Sequence, residues 1–309
     1  MSHGVIANEF VIQRERYYWS DLIGKEGSAK AYQEFKEKYF QEYQFGIHYF
    51  AHVFGEALYL KEGENGVTTC DSTFAYGCFM GFMISAIKDE GIDIVYSLND
   101  VCVEENGSSE TGCRHGIGHG MLQYLGNDQL EKTLNICSSL QEVSPLGCTQ
   151  GVFMEYNRPS IMNPSKAFLS VRKLENDTLL HEPCASLPKK YVVSCYYEQS
   201  QWWVSVLNND YQKIGLLCNN LSSELVKKSC FMGVGTVVSQ MTRYNPKKTI
   251  AACNLMPTSL GNIACRSAAA WVFTVNPKYE EKYSLMCEGL NSSDKELCLK
   301  DSISPDKVI

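Results

Sequence analysis

The sequence predicts an all-α protein: an array of about seven to eight antiparallel helical hairpins, each clipped by one disulfide, forming a curved α/α solenoid or a closed ring. Two observations carry this expectation. Fourteen cysteines fall into seven close couples: Cys70/Cys78, Cys102/Cys113, Cys137/Cys148, Cys184/Cys195, Cys218/Cys230, Cys253/Cys265 and Cys287/Cys298. The second members are spaced by 35, 35, 47, 35, 35 and 33 residues, and a period near 35 is the length of one helix pair. Regular coupling of an even count reads as one bridge per repeat. Bridging within a repeat or between adjacent repeats both remain open from spacing alone.

Taken in order, residues 1–27 read as an N-terminal extension. Residues 28–62 form a capping helix pair without cysteines, Ala29 to Tyr43 and Gln44 to Leu60. Residues 63–157 are a first block of disulfide-clipped repeats. Residues 158–182 are an inserted loop, since the 47-residue spacing exceeds 35 by 12; it contains Pro159, Pro164 and an expected short helix from Lys166 to Leu174. A second block covers 183–276, and 277–309 form a C-terminal capping repeat. A repeat array of this kind is expected to behave as one body, each unit touching its neighbours.

Within a repeat, the first cysteine ends an apolar-periodic segment: Ile94 to Cys102, Leu130 to Cys137, Tyr211 to Cys218, Thr249 to Cys253 and Tyr279 to Cys287. Turn-rich residues such as Glu104 to Gly112 follow. The second cysteine then opens another helix, as in CFMGFMISAI from Cys78 and CRHGIGHGML from Cys113. Three residues after that cysteine stand Gly81, Gly116, Gly151, Glu198, Gly233 and Ala268. Glycine inside a helix costs about 1 kcal/mol relative to alanine, so its recurrence calls for close approach of a neighbouring helix. Bridges over loops this short contribute on the order of 2–3 kcal/mol each.

A hydrophobic fraction of 44% argues against disorder, and a net charge of −7 against a nucleic-acid or anionic-membrane partner. No run approaches the roughly 20 apolar residues that span a bilayer. Seven disulfides call for an oxidising compartment: secreted, periplasmic or lumenal. The start, Met1-Ser-His-Gly, lacks the basic and apolar regions of a secretory signal, so a removed signal or anchor is expected.

Four of the six histidines lie in two i, i+4 pairs, His48/His52 and His115/His119. On a helix each pair shares a face and could chelate one metal. Counted from Cys113, His115 and His119 hold slots +2 and +6. The equivalents elsewhere are Met80/Ile84, Gln150/Met154, Tyr197/Gln201, Met232/Thr236 and Ser267/Trp271. His48 and His52 lie 32 residues before Met80 and Ile84 and are assigned the same two slots one unit earlier. In an open solenoid, slots two repeats apart are roughly 16–20 Å apart, too far for one ion. A curled array would bring His48, His52, His115, His119 and Glu155 to one ion or two close ions, a set suited to Zn²⁺, Fe²⁺ or Cu²⁺. Glu155 or Glu56 would then be ligand or general base.

The pattern resembles the Sel1-like and tetratricopeptide helical-repeat families, specifically their cysteine-rich secreted branch, over about residues 64–300. That resemblance implies a binding scaffold. The histidine-rich segments resemble those of uncharacterised bacterial proteins with C-x-x-G-x-x-H-type repeats, for which no activity is implied. The leading expectation is a secreted, disulfide-stapled repeat protein whose inner helical face holds a peptide, protein or small-molecule ligand, with Gln150, Tyr197, Gln201, Trp202 and Trp271 lining the groove. The alternative is a metal-dependent enzyme on the same scaffold, with His48, His52, His115 and His119 as ligands.

Overall fold

In the computed structural model, the described residues are 9–40, 47–105, 107, 110–140, 144–159, 171–276, 278–302 and 308–309. They are all-α, without a strand among them. The helices are α1 (Glu9–Glu26), α2 (Ser28–Phe40), α3 (Ile47–Glu62), α4 (Gly77–Glu90), α5 (Ile94–Glu105), α6 (Glu110–Leu125), α7 (Leu130–Ser139), α8 (Cys148–Asn157), α9 (Val192–Val206), α10 (Tyr211–Asn219), α11 (Glu224–Met241), α12 (Pro246–Cys253), α13 (Ser259–Thr274) and α14 (Ser292–Asp301). Among the described residues no helix is long and apolar enough to cross a membrane.

Every couple is closed on itself: Cys70–Cys78, Cys102–Cys113, Cys137–Cys148, Cys184–Cys195, Cys218–Cys230, Cys253–Cys265 and Cys287–Cys298. This removes the between-repeat alternative. No cysteine remains free, so none can serve as a nucleophile or thiolate ligand; all fourteen are framework.

Two details of the expected hairpin need correction. The first concerns the helix before the bridge. It is α-helical at Cys102, Cys137, Cys218 and Cys253, but Cys70 follows the 3-10 turn Gly63–Thr69, Cys184 lies in a run of turns, and Glu280–Cys287 winds as a 3-10 helix. Prolines at positions 183 and 188 explain the Cys184 case, since proline cannot continue an α-helical hydrogen-bond ladder.

The second concerns where the next helix begins. Only Cys148 opens its helix. Cys113 and Cys195 stand three residues inside α6 and α9, and Cys230, Cys265 and Cys298 stand six residues inside α11, α13 and α14. The helix starts earlier because the turn residues supply a cap. Ser223, Thr258 and Asn291 each accept from a backbone N–H three residues on, ahead of Cys230, Cys265 and Cys298. For Cys195, the 3-10 turn Lys189–Tyr191 leads straight into α9. The bridge then ties the preceding segment to the first or second turn of the long helix. Cys195, Cys230 and Cys298 are fully buried there.

The chain divides into two compact units. Unit 1 comprises Met1–Val143 and Gly147–Val171; unit 2 comprises Ser144–Leu146 and Arg172–Ile309. The main break falls in the inserted loop. Pro164 and residues 166–170 of the short helix expected there lie outside the described residues, and 171–174 are not helical. Residues 41–46, where the two expected capping helices meet, also lie outside them.

In unit 1 the helices α3, α4, α6 and α8 pack in succession, with α5 and α7 against α6 and α8. The 1–27 extension is not a bare extension: it contains the 18-residue α1, which packs on α3 and α2. Its buried stripe is Ile12, Glu15, Trp19 and Ile23, and the carboxylate in the middle hides the apolar period. Glu15 accepts hydrogen bonds from Lys38 Nζ (2.8 Å), Tyr39 Oη (2.8 Å) and Trp19 Nε1 (3.1 Å). Burial alone would raise the Glu15 carboxyl, but these donors outweigh it and hold it below its ordinary value. Its stabilising effect is therefore complete above the usual glutamate range and is lost as pH falls through the depressed value. Glu15→Gln should cost about 2 kcal/mol near neutrality and less in acid. Urea melts at the two pH values check this; an equal loss at both would refute it.

Unit 2 repeats the arrangement with α9, α11 and α13 in succession, followed by the 3-10 segment and α14. Side-chain caps mark its shorter helices too: Asp210 accepts from the Lys213 N–H and Asn245 from the Lys248 N–H. Pro246 sits at the first turn of α12, where its missing N–H is harmless.

The recurrent glycines do mark close helix approach. A Cβ on Gly81, Gly151 or Gly233 would collide with the carbonyl oxygen of His52, His115 or Tyr197 on the preceding long helix. Glu198 is the exception at this position. It is fully buried and accepts from Gln201 Nε2 (2.8 Å). Since α9 opens unit 2, no long helix of its own unit precedes it there.

Candidate functional site

The same glycine contacts correct the assignment of the first histidine pair. Gly151 meets His115 and Gly233 meets Tyr197, both two residues after a cysteine; Gly81 meets His52. A second set agrees: Gly118, Gly235 and Gly55 meet the carbonyls of Cys148, Cys265 and Cys78. His52 therefore occupies the slot of His115, Glu56 that of His119, and His48 lies one turn earlier. Phe50 stands where the other long helices have their cysteine. Met80, buried, holds the corresponding slot on α4, between α3 and α6.

Each pair is compact. The rings of His48 and His52 have centroids 4.6 Å apart, and those of His115 and His119 4.8 Å. His52, His115 and His119 are buried. His48 Nδ1 donates to the Phe74 carbonyl (2.7 Å), His115 Nδ1 to Gln150 Oε1 (3.0 Å) and His119 Nδ1 to Glu155 Oε2 (3.0 Å). Each acceptor is an oxygen, so all three rings carry their proton on Nδ1 and a lone pair on Nε2. His52 Nε2 lies 3.0 Å from His48 Nε2 and donates to it. Buried His52 Nδ1 is then left with a lone pair and no hydrogen-bond partner.

Electrostatics tie the two pairs together. Burial lowers all four imidazoles below their ordinary value, His119 to about 3. Beyond burial, His48 and then His119 depress His52, while His48 contributes to the depression of both His115 and His119. The Arg158 guanidinium, just past the end of α8, adds to the lowering of His48, His115 and His119. All four are neutral near pH 7. Tyr49 lies alongside, its ring 5.9 Å from that of His52, with its phenol raised by burial.

Among the described residues, no group of three or more His, Cys, Asp or Glu side chains is placed to hold a metal ion as it stands. Glu155 hydrogen-bonds behind His119 instead of joining the four nitrogens. Glu56 is engaged elsewhere, with Arg16 Nη2 2.7 Å from its Oε2, and so is tied to α1. Of the expected groove residues, Gln150 holds His115. In unit 2, Tyr197, Gln201 and Trp202 are buried, with Tyr197 Oη 2.7 Å from Thr236 Oγ1 and Trp202 Nε1 donating to the Arg172 carbonyl (2.6 Å). Trp271 is half-buried. Three of these five, Tyr197, Gln201 and Trp202, thus lie in the interior of unit 2, while Gln150 and Trp271 are half-buried. The oxygen acceptors behind the imidazoles, Phe74 O above all, were not legible in the sequence: a backbone carbonyl leaves no residue-type signal.

No protein-family model, curated protein or solved structure matches this chain. The functional reading therefore rests on geometry alone.

Proposed function

We propose that unit 1 is a metal-binding module, in which His48, His52, His115 and His119 hold one divalent transition-metal ion between the two pairs. The observation that carries this reading is the Nδ1–H tautomer shared by His48, His115 and His119. A ligating imidazole is held by an oxygen acceptor behind one nitrogen, which leaves the other to face the ion. Three of the four rings have that second-sphere oxygen. The 3.0 Å between His48 Nε2 and His52 Nε2 is the separation of two nitrogens about 2.1 Å from a shared ion at a right angle. Closing the second pair onto that ion requires side-chain rotation.

The chemistry of the donors fits. Neutral imidazoles suit Zn²⁺, Cu²⁺ or Fe²⁺, and depressed proton affinity removes the proton that would otherwise compete for each nitrogen. The buried Glu155 carboxylate behind His119 offsets part of the ion's charge. In a four-coordinate ion these ligands leave no open position, so the centre is read as a holding site; a six-coordinate ion would keep two positions for a small ligand.

The scaffold reading extends the same logic. Within each unit, successive packing of the long helices, with a disulfide clip at each cysteine couple, supports a curved α/α solenoid of the Sel1-like or tetratricopeptide kind. The seven bridges support export to an oxidising compartment. A peptide- or ligand-holding groove at Tyr197, Gln201 and Trp202 has less support, because those side chains already have interior partners.

Metal analysis of the chain purified without a polyhistidine tag tests the proposal. About one Zn, Cu or Fe ion per chain is expected, surviving gel filtration. A chain that is metal-free as purified, and that takes up none of the three after dialysis against them, overturns it.

A further inference from the structure

On a different face of α6 from the imidazoles, α5, α6 and the end of α7 flank a cavity of about 490 Å³. We propose that this cavity binds an alkylammonium group, either of a free polyamine or of a lysine side chain, independently of the metal reading.

The charges favour a cation. Asp100, Glu104 and Glu110 face one guanidinium, Arg114, and that guanidinium is paired: Arg114 Nε lies 3.2 Å from Glu110 Oε1. Asp100 and Glu104 are left as exposed carboxylates on one helix, a turn apart. The acidic pair is not the only sign. Asn99 is only 7% exposed, lines the same cavity, and its Oδ1 has no hydrogen-bond partner. A buried amide oxygen without a donor is costly, and turning the Asn99 amide so that its oxygen accepts a ligand N–H relieves that cost. Ser139, also in the lining, donates its Oγ proton to the Ile136 carbonyl (2.7 Å), so toward a ligand it acts as an acceptor.

Size and apolar lining select an organic cation over a bare ion. The volume lies within the range of small-molecule sites, far above what one desolvated metal ion fills. Tyr96, Val103 and Leu140 supply an apolar wall along which a methylene stem can lie, with the ammonium head among the acceptors.

Calorimetric titration of the intact, oxidised chain with putrescine, and separately with N-acetyl-lysine methylamide, tests this. Saturable binding of either probe, weakened by added salt, is expected. Binding of putrescine alone identifies the free polyamine as the source, and binding of the lysine amide identifies a peptide side chain. Glu104→Gln, at an exposed position, should weaken binding about tenfold, and Asn99→Leu should weaken it further while the helical circular dichroism of both variants is retained. No binding of either probe at millimolar concentration overturns the proposal. So does Ca²⁺ binding in place of both amines, or affinity unchanged in Glu104→Gln. Loss of metal from the histidine centre leaves this result unaffected, so the two readings fail separately.

Discussion

Replacing His115 and His119 together by alanine should abolish stoichiometric metal binding while leaving the fold intact. The expected metal-to-chain ratio falls from about one to near zero, because two of the four nitrogens are lost and the remaining pair can only chelate weakly. The thermal consequence is equally direct. A ligand present at about 100 to 1,000 times its dissociation constant stabilises the folded state by roughly 3–4 kcal/mol, and that increment should vanish in the double variant. Glu155→Gln should behave differently. It keeps all four nitrogens and only weakens the acceptor behind His119, so it should retain metal at about 10- to 100-fold lower affinity. Intact disulfides and unchanged helical circular dichroism control for misfolding. If the double variant binds as much metal as the parent chain, the imidazoles are not the ligands.

The second large effect opposes helix propensity. Gly81→Ala and Gly151→Ala lie within helices, where propensity alone predicts a gain of about 1 kcal/mol. The added Cβ, however, would collide with the backbone carbonyl of His52 or His115, and a backbone atom cannot rotate away. Both substitutions should therefore destabilise, by about 3 kcal/mol or more, and should loosen the histidine pairs that those carbonyls adjoin. Gly24 is the control: near the end of α1, its Cβ would meet only the tip of Lys61 at 4.0 Å, so Gly24→Ala should be neutral or stabilising. Guanidinium melts of the three variants, each corrected for disulfide integrity, give the signs. Stabilisation by Gly81→Ala would show that α3 and α4 are not held together at this contact.

The seven cysteine couples were legible in their spacing, and so was the helical placement of HGIGHG inside α6; closure of each couple on itself was not, because spacing alone leaves a neighbouring couple equally open. The helix starts ahead of Cys230, Cys265 and Cys298 were less so, because the same polar residues that mark a turn also cap a helix. The slot of the first histidine pair was not legible. The cysteine period served as the ruler, but α3 has Phe50 in place of a cysteine, and its offset from α4 is set by the loop between them instead of by the 35-residue repeat. Only the contacts of Gly55 and Gly81 fix it. The helix in residues 9–26 was missed for a related reason: Glu15 sits in the middle of its buried stripe, acceptable only because Lys38, Tyr39 and Trp19 converge on it from other turns. Spatial partners of that kind have no local signature. The three oxygen acceptors behind Nδ1 belong to the same class.

The bridges join cysteines only 8 to 12 positions apart. Each can be sealed as soon as its own hairpin has emerged, before the next cysteine couple arrives, so a chain threaded from its N-terminus can be oxidised in order without rearrangement. Wrong partners lie at least one hairpin away, and the cost of closing larger loops disfavours them. Oxidative maturation of this protein should therefore proceed with little need for a disulfide isomerase, and the Cys102–Cys113 bridge at the base of the helix that carries His115 and His119 is the second to be sealed in chain order.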